Sequence, residues 1–93
     1  MVETKSLLRN PPRVLAALCE RVGVTFDRAM LAWPKGPKPE DGVWAPHWYH
    51  RVWESTGWEP YTKKLVELSE AAAVVLPEAE RAYERLVPYQ IEV

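Results

Sequence analysis

Hydrophobic residues recur at three- and four-residue spacing in two long stretches of this chain, and each stretch predicts an amphipathic helix. The first helix begins after Asn10, whose side chain suits an N-cap, with Pro11 in the first helical position. Gly23 favours the left-handed conformation that closes such a helix. A short turn of helix is expected just before it, in residues 6–9. The apolar stripe consists of Val14, Leu15, Leu18 and Val22.

The second stretch predicts a final helix that begins near Ser69, with Glu70 favourably placed against the positive N-terminal end. The apolar pattern continues through Pro77, which predicts one kinked helix rather than two separate ones. Its stripe consists of Ala72, Val75, Ala79, Ala82, Tyr83 and Leu86.

The middle of the chain alternates short periodic segments with breaks. "TFDRAMLAWP" predicts a helix of about two turns, capped by Thr25 or Asp27 and stopped by Pro34. Residues 34–42 contain three prolines and two glycines, which predicts an irregular loop. The aromatic segment that follows restarts a helix at Pro46, and Gly57 ends it.

Four of the five tryptophans and both histidines fall in residues 42–58. Trp48 and Trp53 are expected to form the core, because a buried tryptophan removes about 150–250 Å² from water. A cage for a cation or a sugar is the alternative use of these rings. No alternating pattern predicts a strand. The sequence therefore predicts one all-α domain of residues 1–93, a small bundle of three to four helices with an aromatic-rich core and a Pro-rich loop.

The charge balance limits the classes of partner. Twelve basic and thirteen acidic residues give a net charge of −1, which argues against a nucleic-acid binder, since such a protein needs a basic face. No stretch approaches the ~18 apolar residues of a membrane span. Cys19 is the only cysteine, so we expect a small buried hydrophobe and a cytoplasmic protein.

Two groups of residues have the chemistry to bind a ligand. His47, His50 and Glu54 have helical spacing that could present three ligands to a metal ion, although no second helix offers another His or Cys. The favoured alternative is that the histidines form local hydrogen bonds or lie at the edge of the aromatic cluster, so no metal is expected. Lys35 and Lys38, with the backbone of Gly36, could bind an anion, or the loop could simply be solvated.

Motifs that would complete an enzyme are missing from the sequence. Its four glycines form no Gly-rich loop ending in Gly-Lys-Ser/Thr, and no Gly-x-Ser-x-Gly element occurs. We therefore expect no catalytic residues and no catalysis by this chain alone.

Residues 10–87 resemble the C-terminal part of a bacterial family of sulfotransferase-like P-loop proteins. The most specific pieces are "LCERVGVTFDRAML" and "DGVWAPHWY", followed by "STGW" and "PY". "LPEAERAYERL" is similar to that family's closing helix. The resemblance implies a helical cover over an α/β part that carries the phosphate loop. We expect that part to be missing here, because the helical region begins within ten residues of Met1.

The resemblance also implies a place for the sulfate donor, 3′-phosphoadenosine 5′-phosphosulfate. A loop ahead of the "GVW" position is where sulfotransferases contact the donor's 3′-phosphate. The residues that this implies are Lys35, Gly36 and Lys38, with Trp44 and His47 beside them. The donor is expected only if a P-loop partner supplies the rest of its site, and no other cofactor is implied.

Two functions from different classes follow from these observations. The first is a non-catalytic, sulfotransferase-related helical module that acts by self-association or by binding a separately encoded partner. The alternative is a residual anion- or nucleotide-binding domain that completes a site with a separately encoded P-loop subunit. For the first, we expect a homo-oligomer, because the apolar stripes exceed what so short a chain can cover. The expected interface residues are Val14, Leu18, Val75, Tyr83 and Leu86.

Overall fold

The computed structural model describes residues 1–91 of the chain and confirms the all-α prediction. Within this range the only strand-like pairing is one isolated antiparallel bridge between Ala32 and Gly57. Three 3-10 turns, Arg28–Met30, Pro39–Asp41 and Val87–Tyr89, lie between or after the helices. The α-helices are α1 (Thr4–Arg9), α2 (Pro11–Val22), α3 (Ala45–Trp48), α4 (His50–Glu54) and α5 (Glu70–Leu86).

Helix α2 forms as its sequence predicts. The Asn10 side chain accepts a hydrogen bond from the backbone N–H of Arg13 at 3.4 Å, and Gly23 closes the helix at φ +78°. Helix α1 packs against α2 after a connection of one residue. Val14 and Cys19 of α2 are 1% and 5% exposed, so Cys19 is the buried hydrophobe that was expected.

The predicted two-turn helix after Thr25 is wrong, because only the 3-10 turn Arg28–Met30 forms there. Asp27 caps this turn by accepting the N–H of Ala29 at 2.8 Å. The chain then pairs with a distant segment instead of continuing as a helix. The backbone N–H of Trp33 donates to the backbone carbonyl of Thr56 at 3.0 Å, next to the bridge between Ala32 and Gly57.

The predicted aromatic helix consists of two short helices, α3 and α4, separated at Tyr49. Tyr49 has φ −98° and ψ +11°, outside the helical range, so the faces of α3 and α4 are not continuous. Trp48 is 76% exposed, and its prediction as a core residue is wrong. Trp53 is half-buried.

The buried hydrophobic side chains of the described range are small or aliphatic, not aromatic. The aromatic rings lie at the margin of this core and are partly or largely exposed, so the expected aromatic core is not a buried one. The buried residues are Val14, Cys19, Ala45 and Ile91.

Helix α5 continues through Pro77 as one helix, as predicted, and the Ser69 hydroxyl caps it by accepting the N–H of Ala72 at 3.2 Å. None of its side chains is buried. Its polar contact with the start of the chain is the Tyr83 hydroxyl, which donates to the Glu3 carboxylate at 3.0 Å. Beyond α5, the Gln90 amide also donates to Glu3, at 2.8 Å.

The protein exposes more surface than a compact chain of its mass. Its accessible surface is 8031 Å² and its radius of gyration 16.5 Å. A compact monomer of this size would expose about 5,500 Å² and have a radius of gyration of about 12 Å. The difference of roughly 2,500 Å² reflects the many large hydrophobic side chains that stay exposed. No helix in residues 1–91 has the length and hydrophobicity to cross a membrane.

Candidate functional site

The Pro-rich loop, residues 34–42, uses its polar groups for internal contacts. The Gly36 N–H donates to the carbonyl of Trp53 at 2.8 Å, which attaches the loop to α4. The Lys38 ammonium donates to the carbonyls of Pro34 at 3.1 Å and of Gly36 at 3.3 Å. Gly36 and Lys38 therefore already have partners, while Lys35 is exposed. The phosphate contact that the resemblance implies for these residues stays a prediction.

Asp41 is the main polar support of this loop, and the sequence did not single it out. One oxygen of its carboxylate accepts the backbone N–H of Lys38 and the indole N–H of Trp53, both at 2.8 Å. These two hydrogen bonds, the one from Lys38 first, hold the pKa of Asp41 below its usual range. The Lys38 charge adds to this effect, and partial burial opposes it. The carboxylate is thus a structural group that stays ionised.

Two further tryptophans connect the segment around Met30 to the segment after α4. The indole N–H of Trp33 donates to the Ser55 hydroxyl at 2.9 Å, and that of Trp58 donates to the carbonyl of Met30 at 2.9 Å. The Trp33 and Trp58 rings meet edge to face, with centroids 5.9 Å apart. Together with Trp53, three of the five tryptophans thus use their polar edge to hold the middle of the chain. These three indole hydrogen bonds connect segments that are 12 to 28 positions apart in the chain.

The remaining tryptophans are exposed on or beside α3. Trp44 is 70% exposed, with its ring centroid 6.0 Å from that of His47, and Trp48 shares the same short helix. Val43 is 84% exposed. Trp44 and His47, which the resemblance places beside the anion loop, therefore form an open surface and not an enclosed pocket.

The candidate metal ligands do not converge. His50 meets the Trp53 ring edge to face, with the ring centroids 6.0 Å apart. His47 lies on α3, whereas His50 and Glu54 lie on α4, beyond the break at Tyr49. In residues 1–91 no three His, Cys, Asp or Glu side chains group closely enough to hold a metal ion.

The expected interface residues divide into two groups. Val14 is buried within the chain and Leu18 is half-buried, so Val14 is unavailable to a partner. Val75, Tyr83 and Leu86 of α5 are 57%, 45% and 52% exposed. The α5 apolar face, made of Ala72, Val75, Ala79, Ala82, Tyr83 and Leu86, is therefore open to solvent from Val75 onwards, and Ala72 is half-buried.

A cleft that the sequence did not suggest lies between α1 and the extended residues 59–64. Its volume is about 530 Å³. The Arg51 guanidinium, which lines this cleft, forms a bidentate ion pair with the Glu59 carboxylate. The shorter contact, between Arg51 Nη2 and Glu59 Oε2, is 2.7 Å. We call it the Tyr61 cleft; it is lined by Thr4, Leu8, Arg51, Glu59, Pro60, Tyr61, Thr62 and Lys64.

Comparison with known proteins places the chain in a family. Two proteins of Arabidopsis thaliana, branched-chain-amino-acid aminotransferase-like proteins 1 and 2, are 47% and 42% identical to it over 57 residues. Each similarity covers 61% of this chain and 10% of the relative, so the chain spans about a tenth of the length of these curated relatives. No solved structure matches it. The sulfotransferase domain family matches residues 1–80 of the 93, and the chain therefore belongs to that family.

Proposed function

We propose that this chain is a non-catalytic helical module, related to the C-terminal part of sulfotransferases, that acts by association, and that a second copy covers its α5 apolar face. The observation that carries the proposal is the exposure of α5, an amphipathic helix of 17 residues without one buried side chain. Apolar faces of this kind are rarely left open on proteins that act as monomers. Association is the physical way to cover it.

The available area fits a stable interface. A standard interface buries about 800 Å² on each partner, and the chain exposes roughly 2,500 Å² beyond a compact monomer. One interface on α5 therefore fits well within this excess. Two-fold dimers are the commonest arrangement of identical chains, because one self-complementary patch is enough to form them.

The distribution of charge along α5 is compatible with a second, antiparallel copy of the same helix as the occupant. The helix is acidic from Glu70 to Glu78, whereas its second half is neutral, with Glu80 and Glu84 balanced by Arg81 and Arg85. Antiparallel packing of two α5 helices about a two-fold axis places the acidic half of each beside the neutral half of the other and keeps the two acidic halves apart. Such an arrangement of charge fixes orientation more than it adds affinity.

The absence of a phosphate loop from the sequence supports a role without catalysis. The alternative, a residual nucleotide-binding domain, needs free donors at Lys35, Gly36 and Lys38. It is the weaker proposal because Gly36 and Lys38 already have internal partners.

Light scattering at micromolar concentration tests the proposal. We expect a mass of two chains, twice 10.7 kDa, that falls on dilution. Leu86→Glu should return the mass to one chain, because burying an unpaired carboxylate costs several kcal/mol. Ala73→Glu is the matched control: it adds the same charge to α5 on the face opposite the stripe and should leave the dimer intact.

Three results would count against a dimer on α5. One is a mass of one chain at every concentration, which means that α5 folds back on its own chain or awaits a different partner. Another is a dimer that survives Leu86→Glu, which places the interface elsewhere. The third is equal disruption by Ala73→Glu, which indicates a general effect of charge on the helix.

A further inference from the structure

The Tyr61 cleft is large enough for a small organic ligand and open to solvent on one side. Small-molecule sites commonly occupy about 300–1,000 Å³, and this cleft has about 530 Å³. Leu8 and Tyr61, which line it, are half-buried, while Thr4 and Thr62 supply hydroxyls to the same lining. It therefore combines apolar walls with neutral and charged polar groups.

Positive charge is concentrated around this cleft although the whole chain has a net charge of −1. The Lys5 ammonium and the Arg9 guanidinium lie 5.9 and 5.6 Å from the centre of the Tyr61 ring, so they flank its wall. Arg51 and Lys64 line the cleft directly, and Glu59 is the one carboxylate in that lining. Four cations in or beside the cleft therefore compare with two carboxylates, Glu59 in the lining and Glu54 near Arg51.

Glu59 fixes the orientation of the Arg51 guanidinium without using all its hydrogens. The Arg51 Nε and Nη2 atoms donate to the two Glu59 oxygens at 3.3 and 2.7 Å. A guanidinium carries five N–H donors, so three are left for a ligand. The ion pair also lowers the pKa of Glu59, which therefore remains a negative charge that competes with any bound anion.

We propose that the Tyr61 cleft binds a small organic molecule that carries a phosphate monoester. A doubly charged tetrahedral group gains more from the excess positive charge than a carboxylate does, and Arg and Lys are the side chains that suit it. Leu8, Pro60 and Tyr61 offer apolar contact to the organic part. The site does not depend on the dimer proposed above, because none of its residues lies on α5.

Calorimetric titration of the whole chain with phenyl phosphate tests the assignment, with inorganic phosphate as the probe for the bare anion. Arg51→Gln and Lys64→Gln should each weaken phenyl phosphate binding by about five- to tenfold, since each removes one charge near the dianion. Glu59→Gln should strengthen it by about fivefold, because it removes a competing carboxylate. Inorganic phosphate should bind more weakly, because it lacks the apolar contacts.

Arg21→Gln is the matched control, because it removes one positive charge from an exposed residue of α2 that does not line the cleft, and it should change the affinity by less than about twofold. Lys64 lies outside every helix and its side chain is exposed, so Lys64→Gln tests the site even if Arg51→Gln fails to fold. The assignment is wrong if phenyl phosphate does not bind at millimolar concentration or if inorganic phosphate binds equally well. It is also wrong if Arg21→Gln weakens binding as much as Lys64→Gln, or if Glu59→Gln weakens it.

Discussion

Helices α2 and α5 have the same kind of sequence and different surroundings. Each has a side-chain N-cap, Asn10 for α2 and Ser69 for α5, and each carries one apolar stripe. Yet α2 buries Val14 and Cys19 inside the chain, and α5 buries nothing. An amphipathic pattern thus predicts that a helix needs a cover, but it does not say which chain provides that cover.

The connections before the two helices explain the difference. Asn10 alone separates α1 from α2, so the two helices pack as neighbours. Helix α5 instead follows the extended residues 59–69, and this long connection does not direct it onto α2. Its polar tie to the start of the chain is the Tyr83 contact with Glu3, near its C-terminal end. Within residues 1–91, no side chain of this stripe is buried.

Shortening one apolar side chain in α2 and one in α5 should give the largest difference between the two helices in the free energy of unfolding. Val14→Ala should lower the free energy of unfolding by about 2 kcal/mol, because it removes two methyl groups from a buried site. Val75→Ala should change it by less than about 0.5 kcal/mol in dilute, single chains, because that site is solvated. Denaturant unfolding followed by circular dichroism measures both. Equal losses would mean that α5 is covered within its own chain.

Removing the N-cap side chains of α2 and α5 should produce a smaller difference in the free energy of unfolding. Asn10→Ala should lower the free energy of unfolding of the chain by about 1 kcal/mol, because α2 is part of the core. Ser69→Ala should lose the same local bond but mainly fray the start of α5. Residue-resolved NMR chemical shifts separate these effects, and Thr25→Ala serves as the control at a polar site that caps no helix. A fall in global stability with Ser69→Ala would contradict the independence of α5.

The smallest effect concerns the hydrogen bond between Tyr83 of α5 and Glu3 at the start of the chain. The hydrogen bond to Glu3, together with the Glu3 charge, raises the pKa of Tyr83 above its usual value of 10.0. The pKa of Tyr83 is higher in the folded state than in the unfolded state. The hydrogen bond to Glu3 therefore contributes its full stabilisation of the fold below pH 10, and this contribution is lost as the pH rises through the raised pKa. Ultraviolet titration against Tyr83→Phe isolates this tyrosine. An ordinary pKa in the wild type would mean that the tie is absent in solution.

The sequence predicted what depends on local chemistry. Asn10, Gly23 and Ser69 occupy the cap positions that their side chains or backbone freedom favour, and α5 passes through Pro77 because the apolar pattern does. These features are decided within a few residues of each position. The all-α class followed from them.

The sequence did not predict features that depend on contacts between residues far apart in the chain. The break at Tyr49 moved Trp48 into solvent, and helical spacing gave no sign of that break. Asp41 forms its site only when the loop folds onto Trp53, twelve positions away. The Tyr61 cleft joins α1 to residues that follow it by some fifty positions, which no local motif encodes.

Hydrogen exchange of the α5 backbone amides, measured at high and at low protein concentration, tests the central claim most directly. If a second copy covers the α5 apolar face, these amides should exchange slowly at high concentration and much faster on dilution, while those of α2 change little. Leu86→Glu should remove the dependence on concentration, and Ala73→Glu should not. Slow exchange of α5 that is the same at every concentration would contradict the account, because the cover would then belong to the chain itself.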